Sequence, residues 1–242
     1  MTDHNCFIGN WPFYSLDGSF SALCREHRQN GIGTGYVSAL ESVFYNDFYE
    51  SERALGEIIK GSGYRHAVIP NPTVQGFGST LERCLEEFDV QGIRLVPSYQ
   101  GYSLDLPALD SIIDVARRQG LPIFINARLT DERMTHIIHP RLPTVEEIAD
   151  FVNRADGVTV VLCYLKEHEA DAVWSRCKKN ENLYFDTSGM AGCLFWGKLP
   201  NYIDRCLLGT GFPLRTVRSS VMRIESEIED ESLKKAILDA KI

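Results

Sequence analysis

A chain of 242 residues, 44% hydrophobic and 24% charged, can bury one good core and has the usual size of a single α/β barrel. A formal charge of −8 and an isoelectric point near 5.3 argue against nucleic acid or an anionic membrane surface as partner, since either would want a basic face. A small molecule or another protein fits better, and a homo-oligomer is compatible with the composition. The seven cysteines are scattered without a CxxC pair, as expected of reduced thiols rather than a disulfide framework. The amino terminus has neither a basic start nor an apolar stretch of secretory length, and no run approaches the ~20 apolar residues of a spanning helix, so a cytoplasmic protein is expected.

Short apolar runs recur along the chain with helical patterns between them, the mark of repeated βα units and a parallel sheet. Strands are predicted at NCFIG from Asn5, GYVSAL from Gly35, RHAVIPN from Arg65, GIRLVP from Gly92, PIFINAR from Pro122, VTVVLCYL from Val158, LYFDTS from Leu183 and RCLLGTG from Arg205. Several are continuously apolar, as strands covered on both faces should be. After the third strand, Ser79 and Glu82 have capping-box spacing, and Leu81, Cys84, Leu85 and Phe88 form one apolar stripe. The next helix carries Leu109, Ile112, Ile113 and Ala116 and is predicted to stop at Gly120. Thr144 and Glu147 are predicted to cap a helix whose apolar positions are Val145, Ile148, Phe151 and Val152. A closing helix is expected from about Val217 to the end. Eight such units without a break in composition predict one (β/α)8 barrel over residues 1–242, with its site at the strand carboxyl ends.

Strand residues alternate faces, so the apolar members of each run predict which side chains point inward. The selection is Asn5 and Phe7, then Asn71, Arg94, Asn126 with Arg128, Tyr164, Asp186 or its neighbour Thr187, and Gly211. Asn5, Asn126, Tyr164 and Gly211 should therefore converge. None of the six histidines is read as lying on an inward-facing strand end. Cys163 is read as facing outward.

The stretches GIRLVPSYQGY (92–102), ALDSIIDVARRQGLPIFIN (108–126), DERMTHIIHP (131–140), NLYFDTSG (182–189) and RCLLGTGFPL (205–214), in this order and spacing, resemble the amidohydrolase 2 group of TIM-barrel, metal-dependent hydrolases. The resemblance covers nearly the whole chain. It implies a metal held by a His-x-His on strand one, a histidine on strand five, often one on strand six, and an aspartate on strand eight. Those positions here are Asn5-Cys6-Phe7, Asn126, Tyr164 and Gly211. Asn and Tyr are poor donors to zinc, and Phe and Gly offer no side-chain donor. No metal or other cofactor is therefore expected at this site, and with it goes the usual metal-bound water nucleophile.

Arg94 and Arg128 sit on adjacent strands, where a guanidinium needs an anion: either an internal carboxylate such as Asp186 or the carboxylate or phosphate of a small anionic substrate. Tyr99, Gln100 and Tyr102 follow strand four and can supply ring faces and hydrogen bonds to such a ligand. Asp186 is the candidate general base, since burial beside no metal raises a carboxyl group's pKa. Asp131 and Arg133 match an acid and an arginine that the family carries in the loop after strand five, and His136 in that loop is a candidate for proton transfer. Neighbouring His139 is a weaker ligand candidate. Trp11 and its aromatic neighbours are expected to plug the barrel mouth. The reading is a hydrolase-like enzyme acting on a small anionic molecule without the family's metal centre; the alternative is an inactive barrel kept as a binding or assembly module.

Overall fold

The computed structural model describes residues 1–131, 140–177, 180–190 and 201–242. Its eight parallel strands are β1 (Thr2–Ile8), β2 (Thr34–Ala39), β3 (Arg65–Val68), β4 (Val90–Leu95), β5 (Ile123–Asn126), β6 (Val160–Cys163), β7 (Leu183–Asp186) and β8 (Cys206–Leu207). Each pairs with the next in sequence order. Between and after them run helices α1 (Phe20–Gln29), α2 (Tyr49–Ile59), α3 (Phe77–Glu87), the short α4 (Pro97–Gln100), α5 (Ala108–Gln119), α6 (Val145–Arg154), α7 (Glu167–Cys177), α8 (Val217–Glu227) and α9 (Glu231–Asp239). The segment after β8 returns to β1 through His4 N to Leu208 O (2.8 Å), Gly211 N to Asn5 O (2.7 Å) and Phe7 N to Phe212 O (2.8 Å). The architecture is the expected (β/α)8 barrel.

The helices form where the sequence places apolar stripes. In α5, Leu109, Ile112, Ile113 and Ala116 are all buried against the sheet, and the helix ends on Gly120 at φ 66°, a left-handed turn that favours glycine. In α6 the Thr144 hydroxyl accepts from Glu147 N while the Glu147 carboxylate accepts from Thr144 N, the reciprocal cap that their spacing predicts. The Ser79–Glu82 cap does not form, because α3 begins two residues before Ser79 and is preceded by Gly76 in a left-handed conformation. The closing helix is two helices: α8 ends at Glu227, and Asp230 caps α9 by accepting from Ser232 N and Leu233 N.

Register fixes what lies inside. Arg94 pairs with Phe124, Phe124 with Val161 and Val161 with Tyr184, so these side chains share the inner face. Asn126 pairs with Cys163, so Cys163 also points inward, against the expectation that it faces out. It packs in the inner cluster with Tyr36, Ala67, Phe124, Val161 and Leu207. β1 starts at Thr2, three residues before the predicted start, and its register shifts between Asp3 and Cys6. That bulge turns Asp3 towards α1, where it meets His27, while Asn5 reaches inward to Arg94. His4, also on β1, is buried and stacks on Tyr36 at 5.8 Å, below the strand ends.

Candidate functional site at the strand carboxyl ends

The centre of the barrel is occupied by one guanidinium. Arg94 is fully buried, and each of its five N–H donors has an oxygen partner. Nε donates to Ser38 Oγ (2.8 Å), Nη1 to Asn5 Oδ1 and Asn126 Oδ1 (2.7 Å each), and Nη2 to the carbonyls of His4 and Tyr36 (3.3 Å each). The rings of Phe7 and Phe124 flank it at 4.8 and 4.9 Å. All five acceptors are neutral, so of the two partners considered for Arg94 the internal carboxylate Asp186 is not one it takes. The guanidinium fork is saturated by carbonyl and hydroxyl oxygens and so satisfies polar groups of three strands, β1, β2 and β5.

Asp186 lies one layer away, linked through Asn5. Asn5 Nδ2 donates to Ser188 Oγ at 3.0 Å, and Ser188 Oγ donates to the carboxylate. Oδ1 also accepts from Tyr164 N (2.8 Å) and Ser188 N (3.2 Å). Burial pushes the Asp186 pKa above the ordinary carboxylate value, and these hydrogen bonds only partly offset it. The packing depends on Gly209, since a Cβ there would stand 2.2 Å from Asp186 Oδ2. Burial and the nearby Asp186 push the inward Cys163 thiol well up, so it stays protonated.

Tyr164 has a left-handed backbone, φ 64°, which turns the chain out of the barrel just past β6. Its carbonyl accepts from Arg128 Nη1 at 2.8 Å, and its hydroxyl accepts from Arg215 Nε. The Arg215 guanidinium lies 4.4 Å from the Tyr164 ring centre. Burial raises the phenol's pKa, with Arg215 opposing. Asp131 is close enough to add to that rise. Arg128 is held by Glu169 in a two-pronged pair, Nη1 to Oε2 at 2.8 Å and Nη2 to Oε1 at 2.6 Å.

Asn5, Arg94, Asn126, Tyr164 and Asp186 are thus joined in one hydrogen-bonded chain, and Gly211 meets Asn5 through its backbone. Gly211 has φ 70°, a conformation that suits glycine. Above them, Trp11 packs edge-on against Phe13, Phe44 and Tyr99, and the Tyr99 hydroxyl shares a hydrogen bond with Thr130 at 3.0 Å. Asn71 stands apart: its Oδ1 accepts from Thr73 N and Thr73 Oγ1 and closes a turn. Arg133, His136 and His139 lie outside the described residues.

Two arginines that sequence reasoning missed also belong here. Arg215 follows the β8 end by a short loop, and Arg223 is on α8, where it donates to Met190 O and Ser220 Oγ. Among the described residues neither has a carboxylate within ion-pair distance. Burial and the charge of Arg215 lower the Arg223 pKa, so the two cations sense each other. The signal for Arg215 was its place just after the GTGFP turn, the segment that borders the mouth of an α/β barrel, whereas Arg223, eight residues further on in α8, carried none.

A family model described as amidohydrolase matches residues 52–239, and the chain belongs to that family. No curated protein sequence matches it. Among solved structures it resembles 2,6-dihydroxybenzoate decarboxylase complexed with 2,6-dihydroxybenzoate, at 13% identity and TM-score 0.69 over 98% of this chain and 95% of that one. It also resembles 5-carboxyvanillate decarboxylase from Sphingomonas paucimobilis, at 13% identity and TM-score 0.65 over 91% and 81%. A dihydroxybenzoic acid decarboxylase from Polaromonas, solved with manganese and the inhibitor 2-nitroresorcinol, matches at 15% identity and TM-score 0.64 over 91% and 83%. At such identities these likenesses establish the fold alone. Among the described residues no helix is long and apolar enough to cross a membrane.

Proposed function

We propose that this protein binds a small aromatic carboxylic acid at the barrel mouth and acts on it, hydrolase-like, without the family's metal centre. The observation that carries the reading is Arg215: a half-buried guanidinium whose Nε donates to the neutral Tyr164 hydroxyl, beside the second cation Arg223. On a chain of net charge −8, such a pair is where an anion gains charge-assisted hydrogen bonds. Trp11 and Tyr99 supply an aromatic wall to the same end. Several structural neighbours are named for aromatic acids, which agrees with this ligand class.

A family-type divalent ion does not fit the residues present. The oxygens of Asn5 and Asn126 already lie 2.7 Å from the Arg94 guanidinium, so an ion between them would face a fixed positive charge. Phe7 and Gly211 offer no side-chain donor. Proton transfer in this reading falls to the phenol of Tyr164, polarised by Arg215, with Asp131 as its acid–base partner and Asp186 behind it, and His136 is kept as a candidate from the sequence alone. Asn5, Arg94, Asn126 and Arg128 lie beneath the site, while Tyr99 and Arg215 contact the ligand; Asn71, engaged with Thr73, takes no part, and Arg133 is a candidate from the sequence alone.

A second reading, a binding barrel without turnover, draws on the sealed interior: Asp186 is fully buried with its oxygens engaged. Calorimetric titration with 2,6-dihydroxybenzoate and benzoate, followed by assays for carbon dioxide release and ester or amide cleavage, separates the two. Saturable binding weakened about tenfold or more in Arg215→Met supports the site, since a hydrogen bond to a charged group contributes about 1.5–3 kcal/mol. Turnover selects the enzyme, binding alone selects the module, and no binding by the wild type rejects both.

A further inference from the structure

On the opposite side of β1 from Arg94, three buried side chains of metal-binding type meet between the strand and α1. A carboxylate oxygen of Asp3, the Cys6 sulfur and a ring nitrogen of His27 lie within 4.8 Å of one another. Each residue is at most 1% exposed. His27 Nε2 and Asp3 Oδ2 are 3.0 Å apart, sharing one proton. The groups that would orient such ligands are also in place. Tyr64 hydroxyl holds His27 Nδ1 at 2.9 Å, and Asp3 accepts from Asn5 N (3.0 Å), Thr210 N (2.9 Å) and Thr210 Oγ1 (2.5 Å). Cys24, one turn before His27 on α1, lies beside Cys6 and Tyr64.

We propose that Asp3, Cys6 and His27, with Cys24 as fourth donor, form a structural site for a zinc-class divalent ion, distinct from the strand-end site. The mixed O, S and N donor set is that of a borderline-soft tetrahedral ion. Bond lengths of about 2.0–2.3 Å put tetrahedral donors roughly 3.3–3.8 Å apart, so Asp3, Cys6 and His27 need to close in by about 1 Å, while Cys24, which stands outside that 4.8 Å group, has to turn its sulfur towards them. The ion would replace three protons, the one between His27 and Asp3 and those of the Cys6 and Cys24 thiols, all released to solvent, and one carboxylate and two thiolates would then face its two charges. Carrying no open position, the site would not do chemistry. Its effect would be mechanical: Asp3 already grips Thr210 beyond β8, so an ion would pin α1 to the β1–β8 seam where the barrel closes.

The test is a titration of the chelator-stripped, full-length protein with cobalt(II), which reports ligand type by its spectrum. The expected result is one equivalent bound, with a near-ultraviolet thiolate-to-cobalt band and the visible bands of a tetrahedral ion, both displaced by zinc. Cys6→Ser should lose roughly half of the thiolate band, Cys24 supplying the rest, and His27→Gln should weaken binding more than tenfold. Cys163→Ser, which alters a buried thiol inside the barrel, should leave the spectrum unchanged. Should the first two variants fail to fold, the wild-type spectrum still decides. Absence of a thiolate band, or a band that survives Cys6→Ser and vanishes in Cys163→Ser, overturns the site.

Discussion

Tyr164 donates its backbone N–H to Oδ1 of Asp186 at 2.8 Å from a left-handed backbone at φ 64°. The two facts are linked. A non-glycine residue in that conformation costs about 1–2 kcal/mol, and it persists here because Asp186 holds its N–H and Arg128 holds its carbonyl. The strained residue therefore turns its phenol out of the barrel towards Arg215 while its peptide stays fixed to the buried carboxylate.

Arg94→Met should destabilise the protein by about 3 kcal/mol or more, measured by urea unfolding. Methionine fills similar volume but removes five donors: Asn126 Oδ1 and His4 O lose the partner described for them, Asn5 Oδ1, Ser38 and Tyr36 O keep only Asn126 Nδ2, Ala67 O and Cys6 Sγ, and each buried polar group left unpaired costs about 1–3 kcal/mol. Arg94→Lys should restore only part of the loss, since an ammonium has three donors for five acceptors. A variant as stable as the wild type would mean that the network contributes little.

The barrel was legible because βα repeats impose periodicity, and the strand-end set was legible wherever polar residues interrupt an apolar run, as Arg94 and Asn126 do. Cys163 was misread for a physical reason. The run from Val158 to Leu165 is apolar on nearly every residue because β6 is covered on both faces, so its pattern carries no information about which face is inner. The partners of Arg94 and Arg128 were equally hidden: parity says that a guanidinium points in, and only the fold says whether neutral oxygens or Glu169 await it. Arg215 and Arg223 depend on how the chain leaves β8, and Asp3, Cys6 and His27 are gathered by a bulge and a helix packing that spacing alone does not encode.

The Arg128–Glu169 pair should leave its mark on acid stability. Burial alone would raise the Glu169 pKa, but the Arg128 hydrogen bonds and charge, with Lys166 N–H, hold it below its ordinary 4.5. A carboxylate with a depressed folded pKa stabilises the fold above its unfolded value, and that contribution is lost as pH falls through the folded one. Glu169→Gln should accordingly be less stable than wild type at pH 7, with the difference shrinking below pH about 4. Denaturation midpoints compared across pH check this; a constant gap would assign the effect to packing instead.

Gly209→Ala should be among the more damaging single-methyl additions in the chain. A Cβ at Gly209 would stand 2.2 Å from Asp186 Oδ2 and 2.7 Å from its Cγ, so the carboxylate must leave the position in which Tyr164 N and Ser188 hold it. A loss of about 2–4 kcal/mol in unfolding free energy is expected, typical of overpacking joined to a broken buried hydrogen-bond network. Gly61→Ala provides a control. No atom lies within 4 Å of a Cβ there, so only the cost of its positive φ should be seen.

Substitutions at Tyr164 should separate backbone strain from side-chain contacts. Tyr164→Ala and Tyr164→Gly both remove the ring over Arg215 and the hydroxyl that accepts from it, so they lose the same side-chain interactions. They differ in the left-handed conformation, which glycine adopts freely and alanine does not. The glycine variant should therefore be the more stable by about 1 kcal/mol, partly reduced by the greater freedom it has when unfolded. Tyr164→Phe keeps the ring and the strained peptide but frees the Arg215 Nε donor. It should stay within about 1 kcal/mol of wild type in unfolding, since one side-chain hydrogen bond is lost. Thermal and urea unfolding of the three variants check the order. If alanine matched or exceeded glycine, the left-handed peptide would carry no measurable strain, and the link between Tyr164 geometry and Asp186 would lose its energetic basis.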